Sequence, residues 1–174
     1  TKSMILNLSD EILQQILVSE SYVSAEDMAR AVDFAKRNKT SIMDYLFSQY
    51  ILSRDLLGQA LAEYYKIPYF DLNSRELVAE QILKLPEELA VRFNVLFLTE
   101  NKNQILLATA DPTQPDLMDA LGQAFPGKTI LFAYSLPDDI RDKFVFYRKT
   151  LETRFAQILQ EKKRVAPEII DEII

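Results

Sequence analysis

The chain has 174 residues, 48% hydrophobic and 26% charged, with a formal net charge of −6. That balance is typical of a globular protein of one ordinary domain or two small ones, and the acidic charge argues against a nucleic-acid or anionic-membrane surface. Cys and His are both absent and only three Gly occur, which excludes thiol nucleophiles, imidazole bases and thiolate or imidazole metal sites and leaves no GxxxxGK[ST] or GxGxxG phosphate loop.

Residues 9–66 read as helices. Ser9 is an N-cap, followed by Asp10 and Glu11 where carboxylates suit the helix dipole. Ile12, Leu13, Ile16 and Leu17 form a helical stripe behind them. Ser24 opens a second helix in a capping-box pattern, with Asp27 in the Glu position and Met28, Ala31, Val32 and Ala35 inward. Lys36, Arg37 and Lys39 close that helix at its negative end. A short helix is expected from Ile42 to Phe47. Ser53 caps the next, which turns Leu56, Leu57, Ala60, Leu61 and Tyr64 inward. Pro68 ends the helical region, because the residue before a proline is pushed out of the helical conformation.

This region repeats itself at an offset of 29 residues, as from Leu13 to Ile42. Leu17 matches Leu46, Tyr22-Val23 matches Ile51-Leu52, Ser24 matches Ser53, Met28 matches Leu57, and Ala31-Val32 matches Ala60-Leu61. Each copy reads as a short helix, a tight apolar turn, a Ser cap and a longer helix. Two related helical hairpins packed together satisfy that pattern.

From Ile67 the period changes. Ile67 to Leu72 reads as extended, Glu76 to Leu83 as a weak helix, and Pro86-Glu87-Glu88 as the start of another. Asn94 to Thr99 and Gln104 to Thr109 are the strands of a hairpin around a polar turn. Asp111 to Asp116 leads into a helix carrying Leu117, Leu121 and Phe125, which Pro126-Gly127 stops. Lys128 to Tyr134 is a third strand, and Ser135-Leu136-Pro137-Asp138 caps a helix with Ile140, Phe144 and Tyr147. Strands and helices at this spacing suggest a small sheet with helices on one face. Leu151 to Arg164 continues as a charged helix. The run Val165 to Ile174 ends on isoleucines, which suggests a piece of a longer chain.

The fold expected is α+β: an N-terminal helical-hairpin repeat (1–66), a small sheet with helices packed on it (67–148), and a linker helix (149–174). Leu46, Leu57 and Leu61 are expected in the first core, and Leu96, Leu106, Leu121 and Ile140 in the second.

The sequence resembles the N-terminal domain of the type II secretion and type IV pilus assembly ATPases, the domain also called MshEN. The resemblance is carried by Ser41-Ile42-Met43, Leu46, Tyr50, Leu52, Leu57, Ala60-Leu61, Tyr64 and Pro68. It continues through Leu85-Pro86-Glu87-Glu88-Leu89-Ala90, Asn94-Val95-Leu96-Phe97 and Leu107-Ala108-Thr109-Ala110-Asp111-Pro112. It covers about residues 9–148, and Thr109 replaces the family's Met before Ala-Asp-Pro. It implies an adaptor that docks a motor onto cytoplasmic parts of inner-membrane platform proteins. It also implies ATP hydrolysis in a core absent from this chain, hexamer formation driven by that core, and a monomeric fragment. The implied location is cytoplasmic, peripheral to the inner membrane through protein contacts.

Some members of that family bind cyclic di-GMP through a repeated motif RLGxxLxxxGxxxxxxLxxALxxQ. Its Arg falls here at Ser41, its two Gly at Met43 and Tyr50, and its Gln at Tyr64. In the first copy the equivalents are Ile12, Gln14, Ser21 and Ala35. All depart, while Ile42, Leu46, Leu52, Leu57, Ala60 and Leu61 keep the packing half. The resemblance therefore implies a retained scaffold and a lost nucleotide site, with no cofactor, no metal and no catalytic residue. A cyclic di-GMP receptor with an altered site and a free-standing interaction scaffold remain the alternatives.

Tyr45, Tyr50, Tyr64, Tyr65, Tyr69 and Phe70 are dense enough to be a docking surface, since aromatics dominate interface hot spots. Their helical spacing also fits core plus hinge. Tyr64, Tyr65, Tyr69 and Phe70 are the partner-binding candidates. Asp116, Asp119, Asp138, Asp139 and Asp142 read as charges complementing helix N-termini rather than metal ligands.

Overall fold

The computed structural model describes residues 6–148 and 168–173. The linker reading for 149–174 therefore lies mostly outside the described residues. Within it, Ile169–Ile173 is a short helix whose Ile169 and Ile170 join the sheet-side core.

Four helices form the first part: α1 (Asp10–Ser19), α2 (Ala25–Asn38), α3 (Ile42–Ser48) and α4 (Arg54–Tyr65). A serine caps each one. The hydroxyls of Ser9, Ser24, Ser41 and Ser53 accept from the amides of Ile12, Asp27, Asp44 and Leu56 at 3.3, 3.1, 2.9 and 3.1 Å. Each bond satisfies an amide that would otherwise lack a partner in the first helical turn. The repeat extends to the backbone. The Val23 amide donates to Leu17 O at 3.0 Å, and the matching Leu52 amide donates to Leu46 O at 3.3 Å. The two matching turns, α1–α2 and α3–α4, pass through the left-handed region at Ser21 (φ 62°) and Tyr50 (φ 56°).

Leu17, Leu46, Leu57 and Leu61 fill this helical core. Tyr134 and Leu136, from the other half of the chain, complete it.

The second part is built on β1 (Val95–Glu100), β2 (Gln104–Thr109) and β3 (Thr129–Tyr134), in that spatial order. β1 and β2 are antiparallel, with an irregularity between Phe97 and Thr99. β2 and β3 are parallel, joined through α7 (Leu117–Ala124). Residues 68–70 pair with the end of β3: the Phe70 amide donates to Tyr134 O at 2.8 Å, and the Tyr134 amide to Pro68 O at 2.7 Å.

Three expectations are corrected. β1 and β2 are covered on both faces rather than one, as the unbroken burial of Val95 to Thr99 and Ile105 to Thr109 shows, while β3 is buried only at Ala133 and Tyr134. Those runs are continuously apolar apart from the terminal threonines, without the alternation a wet face needs. The weak helix shrinks to α5 (Ala79–Ile82), followed by α6 (Glu87–Phe93). Ser135 does not cap α8 (Pro137–Asp142): Leu136 stands at its N-cap, and the Ser135 hydroxyl instead donates to Phe70 O at 2.6 Å. After α8 the chain tightens into a 3-10 helix over Lys143–Arg148 that carries Phe144 and Tyr147. Leu96, Leu106, Leu121 and Ile140 are buried in the sheet-side core.

Candidate functional site

The residues at the nucleotide-motif positions have taken other work. Ser41 caps α3. Met43 is buried in the helical core, where a glycine would leave a gap. Tyr50 is 95% exposed on its left-handed turn, a backbone conformation that costs an L-residue about 1–2 kcal/mol. Tyr64 stands out of α4, 45% exposed.

Tyr64 and Ile12, the last motif position of the second copy and the first of the first copy, face one another across a groove between α1 and α4. Its volume is about 250 Å³, and Ile16 and Ala60 lie on its buried side. Glu20 and Glu63 are the charged residues that line it. The Tyr22 hydroxyl donates to Glu63 Oε2 at 3.0 Å. Burial and the Glu63 carboxylate together raise the Tyr22 phenol pKa. This surface is an apolar slot with an acidic rim, which repels a phosphodiester and attracts an apolar side chain flanked by cations.

The aromatic candidates do not form one cluster. Tyr45 packs on Phe34 with ring centroids 4.8 Å apart. Tyr64 meets Tyr65 edge-on at 5.0 Å, and Tyr65 stacks on Tyr134 at 5.9 Å. Burial, then the Asp111 carboxylate, pushes the Tyr65 phenol up to about 12. Tyr69 lies against Gly58, so closely that a Cβ there would meet its ring at 2.3 Å. Its hydroxyl donates to Asp55 Oδ1 at 2.9 Å. Phe70 is 5% exposed and belongs to the sheet-side core, which leaves it no face for a partner. Of the four candidates only Tyr64 is both exposed and beside a groove; Tyr65 and Tyr69 serve the junction between the two cores.

A second junction contact was not legible in the sequence. Arg54, at the start of α4, meets Asp138 at 2.9 Å and Asp139 at 3.0 Å on α8. These carboxylates therefore serve a cation 84 residues away as well as a helix N-terminus. Burial raises the Asp139 carboxyl above the ordinary range, and Arg54 pulls against it.

The MshEN domain family matches residues 65–153. The type IV pilus assembly ATPase PilB of Acinetobacter baylyi is 28% identical over 105 residues, which span 60% of this chain and 18% of that protein. The structure of MshE with cdg (cyclic di-GMP) superposes with a TM-score of 0.56 at 26% identity, covering 78% of this chain and 97% of that one. The N-terminal domain of XpsE is 18% identical with a TM-score of 0.44, over 81% of this chain and 98% of that one. The chain thus spans less than a fifth of the pilus ATPase it matches. With just over half of its residues matched to the MshEN domain, on an α+β fold shared with MshE, the chain belongs to the MshEN domain family.

Proposed function

We propose that this chain is the non-catalytic adaptor domain of a secretion or type IV pilus assembly ATPase, and that it docks the motor onto the cytoplasmic part of an inner-membrane platform protein. It works in the cytoplasm, at the membrane through protein contacts, and leaves hydrolysis and hexamer assembly to the motor core. The observation that carries this reading is the groove between α1 and α4. Where nucleotide-binding relatives place Arg and Gln, this chain presents Ile12 and Tyr64, with Glu20 and Glu63 beside them. An apolar anchor and a charged rim are features of a protein interface.

The test is binding of the platform protein's cytoplasmic domain to the 174-residue chain and to Tyr64→Ala, Tyr65→Ala and Tyr69→Ala variants. Tyr64→Ala should weaken binding while the fold persists, and the two junction variants should weaken it only as far as they destabilise the chain. Equal binding by a folded Tyr64→Ala variant removes the groove from the account. No binding by the parent chain removes the docking role.

A cyclic di-GMP receptor with an altered site is the second reading, favoured by the likeness to MshE. The acidic groove and the loss of motif residues at Ile12, Ser41, Met43, Tyr50 and Tyr64 weigh against it.

A further inference from the structure

We propose that the cavity between the two cores is a binding site for an oxyanion, a phosphate or a carboxylate, held by Arg92 and Arg141. The cavity measures about 180 Å³, and its walls include Tyr65, Arg92, Asn94, Asp111, Tyr134 and Arg141. It lies apart from the α1–α4 groove, and the two share no lining residue.

Arg92 and Arg141, both exposed residues, line the cavity and are placed there by one local device. Asn94 ends α6 in the left-handed conformation (φ 51°), and its Nδ2 donates to Pro137 O at 3.1 Å, which ties the end of α6 to the start of α8. Arg92 sits in the last turn of α6. Arg141 is four residues beyond Pro137, on the same face of α8. Arg92 lies over the Phe93 ring at 4.7 Å, a contact that orients it without neutralising it. Among the described residues neither arginine forms an ion pair.

Asp111 is the acidic residue in the lining, and its Oδ1 is held within its own turn. Asp111 Oδ1 accepts from the Thr113 amide at 2.9 Å and from the Thr113 hydroxyl at 2.5 Å, closing its own turn. Gln114 braces that turn by donating to Phe93 O at 2.8 Å and to Asp111 O at 3.0 Å. Two arginines against one carboxylate give the lining a positive excess in an otherwise acidic chain.

Asn94 braces the wall rather than binding: its Nδ2 is held by Pro137 O and its Oδ1 is buried. The ligand's anionic oxygens take the arginines. A phosphate and the carboxylate end of a peptide share that chemistry.

The experiment titrates the 174-residue chain with inorganic phosphate and, separately, with N-acetylglycine, at constant ionic strength set by chloride, and follows amide chemical shifts. The expected result is a saturable shift at Asn94, Asp111 and Tyr134 with at least one of the two ligands. Arg92→Gln and Arg141→Gln should each weaken it about tenfold or more, as the loss of a charge-assisted hydrogen bond does. Arg30→Gln, on the far surface of α2, should leave it unchanged. Saturation by phosphate alone assigns the site to a phosphate group, and saturation by N-acetylglycine alone assigns it to a chain terminus. Either result supports the proposal. Non-saturable shifts, or shifts spread over surface lysines and unaffected by either substitution in folded protein, overturn it.

Discussion

The helical and sheet parts of this molecule distribute their apolar residues differently. In the sheet part, β1 and β2 are buried on both faces over Val95 to Thr99 and Ile105 to Thr109, with β3 only partly buried. In the helical part each helix buries one stripe, and Ile12, Phe34, Tyr50, Leu56 and Tyr64 stay exposed. The helical part therefore carries more of the exposed large apolar side chains, those of the sheet part being Val91, Met118 and Val145 among the described residues. Of the motif positions, Ile42, Leu46, Leu52, Leu57, Ala60 and Leu61 keep apolar residues packed in the helical core, where Met43, in place of a glycine, is buried too.

The largest effect should come from the sheet. Phe97 is fully buried and packs on Phe125 at 5.5 Å. Phe97→Ala should cost about 3–5 kcal/mol in denaturant unfolding, whereas Ile12→Ala on the groove should cost less than about 0.5 kcal/mol. Similar losses for the two would erase the contrast.

Next is the junction. Gly58→Ala places a Cβ 2.3 Å from a Tyr69 ring atom whose hydroxyl is held by Asp55. The crowding should cost about 1–3 kcal/mol. Because Tyr134 and Leu136 fill the helical core from the sheet side, the variant should melt the helices ahead of the sheet. One unchanged transition in both far-ultraviolet and tyrosine signals would show that crowding at Gly58 does not separate the two parts.

A smaller effect follows from Arg54. The folded Asp139 carboxyl titrates above its ordinary value, so its contribution favours the fold most below about pH 4 and declines as pH rises through the raised value. Arg54 opposes that rise, so Arg54→Ala lifts the folded value further. The loss should be slight in acid and reach about 1 kcal/mol near neutral pH, a figure reduced for the pair's partial exposure. A pH-independent loss would exclude Asp139 as the cause. The smallest change is a gain: Tyr50→Gly relieves a left-handed turn at φ 56° and should stabilise by about 0.5–1 kcal/mol, while removing an exposed ring. A loss of stability would mean that Tyr50 is held by contacts rather than strained.

Much of this architecture was legible because it is local. Ser9, Ser24, Ser41 and Ser53 announce their helices through a cap bond three residues long, and the repeat shows in matching stripes. The junction was not legible. The Arg54 pair with Asp138 and Asp139, and the approach of Tyr69 to Gly58, depend on chain folding over long separations. The same reason misplaced Phe70: an aromatic beside a helix end looks exposed until β3 pairs with residues 68–70 and draws it inward. Tyr50 and Ser21 were visible as missing glycines, but the left-handed backbone they preserve was not. The groove itself joins the first helix to the fourth, and only a helical repeat folded back on itself brings Ile12 to Tyr64.

The most direct measurement is calorimetric titration of the 174-residue chain with cyclic di-GMP. The account holds that the helical scaffold persists while its ligand-facing residues have turned to protein contacts. It predicts no saturable heat at micromolar concentration, in a sample whose helical content is intact. Saturable micromolar binding, weakened by Tyr64→Ala or by changes at Ile12, would contradict it and make the groove a nucleotide site.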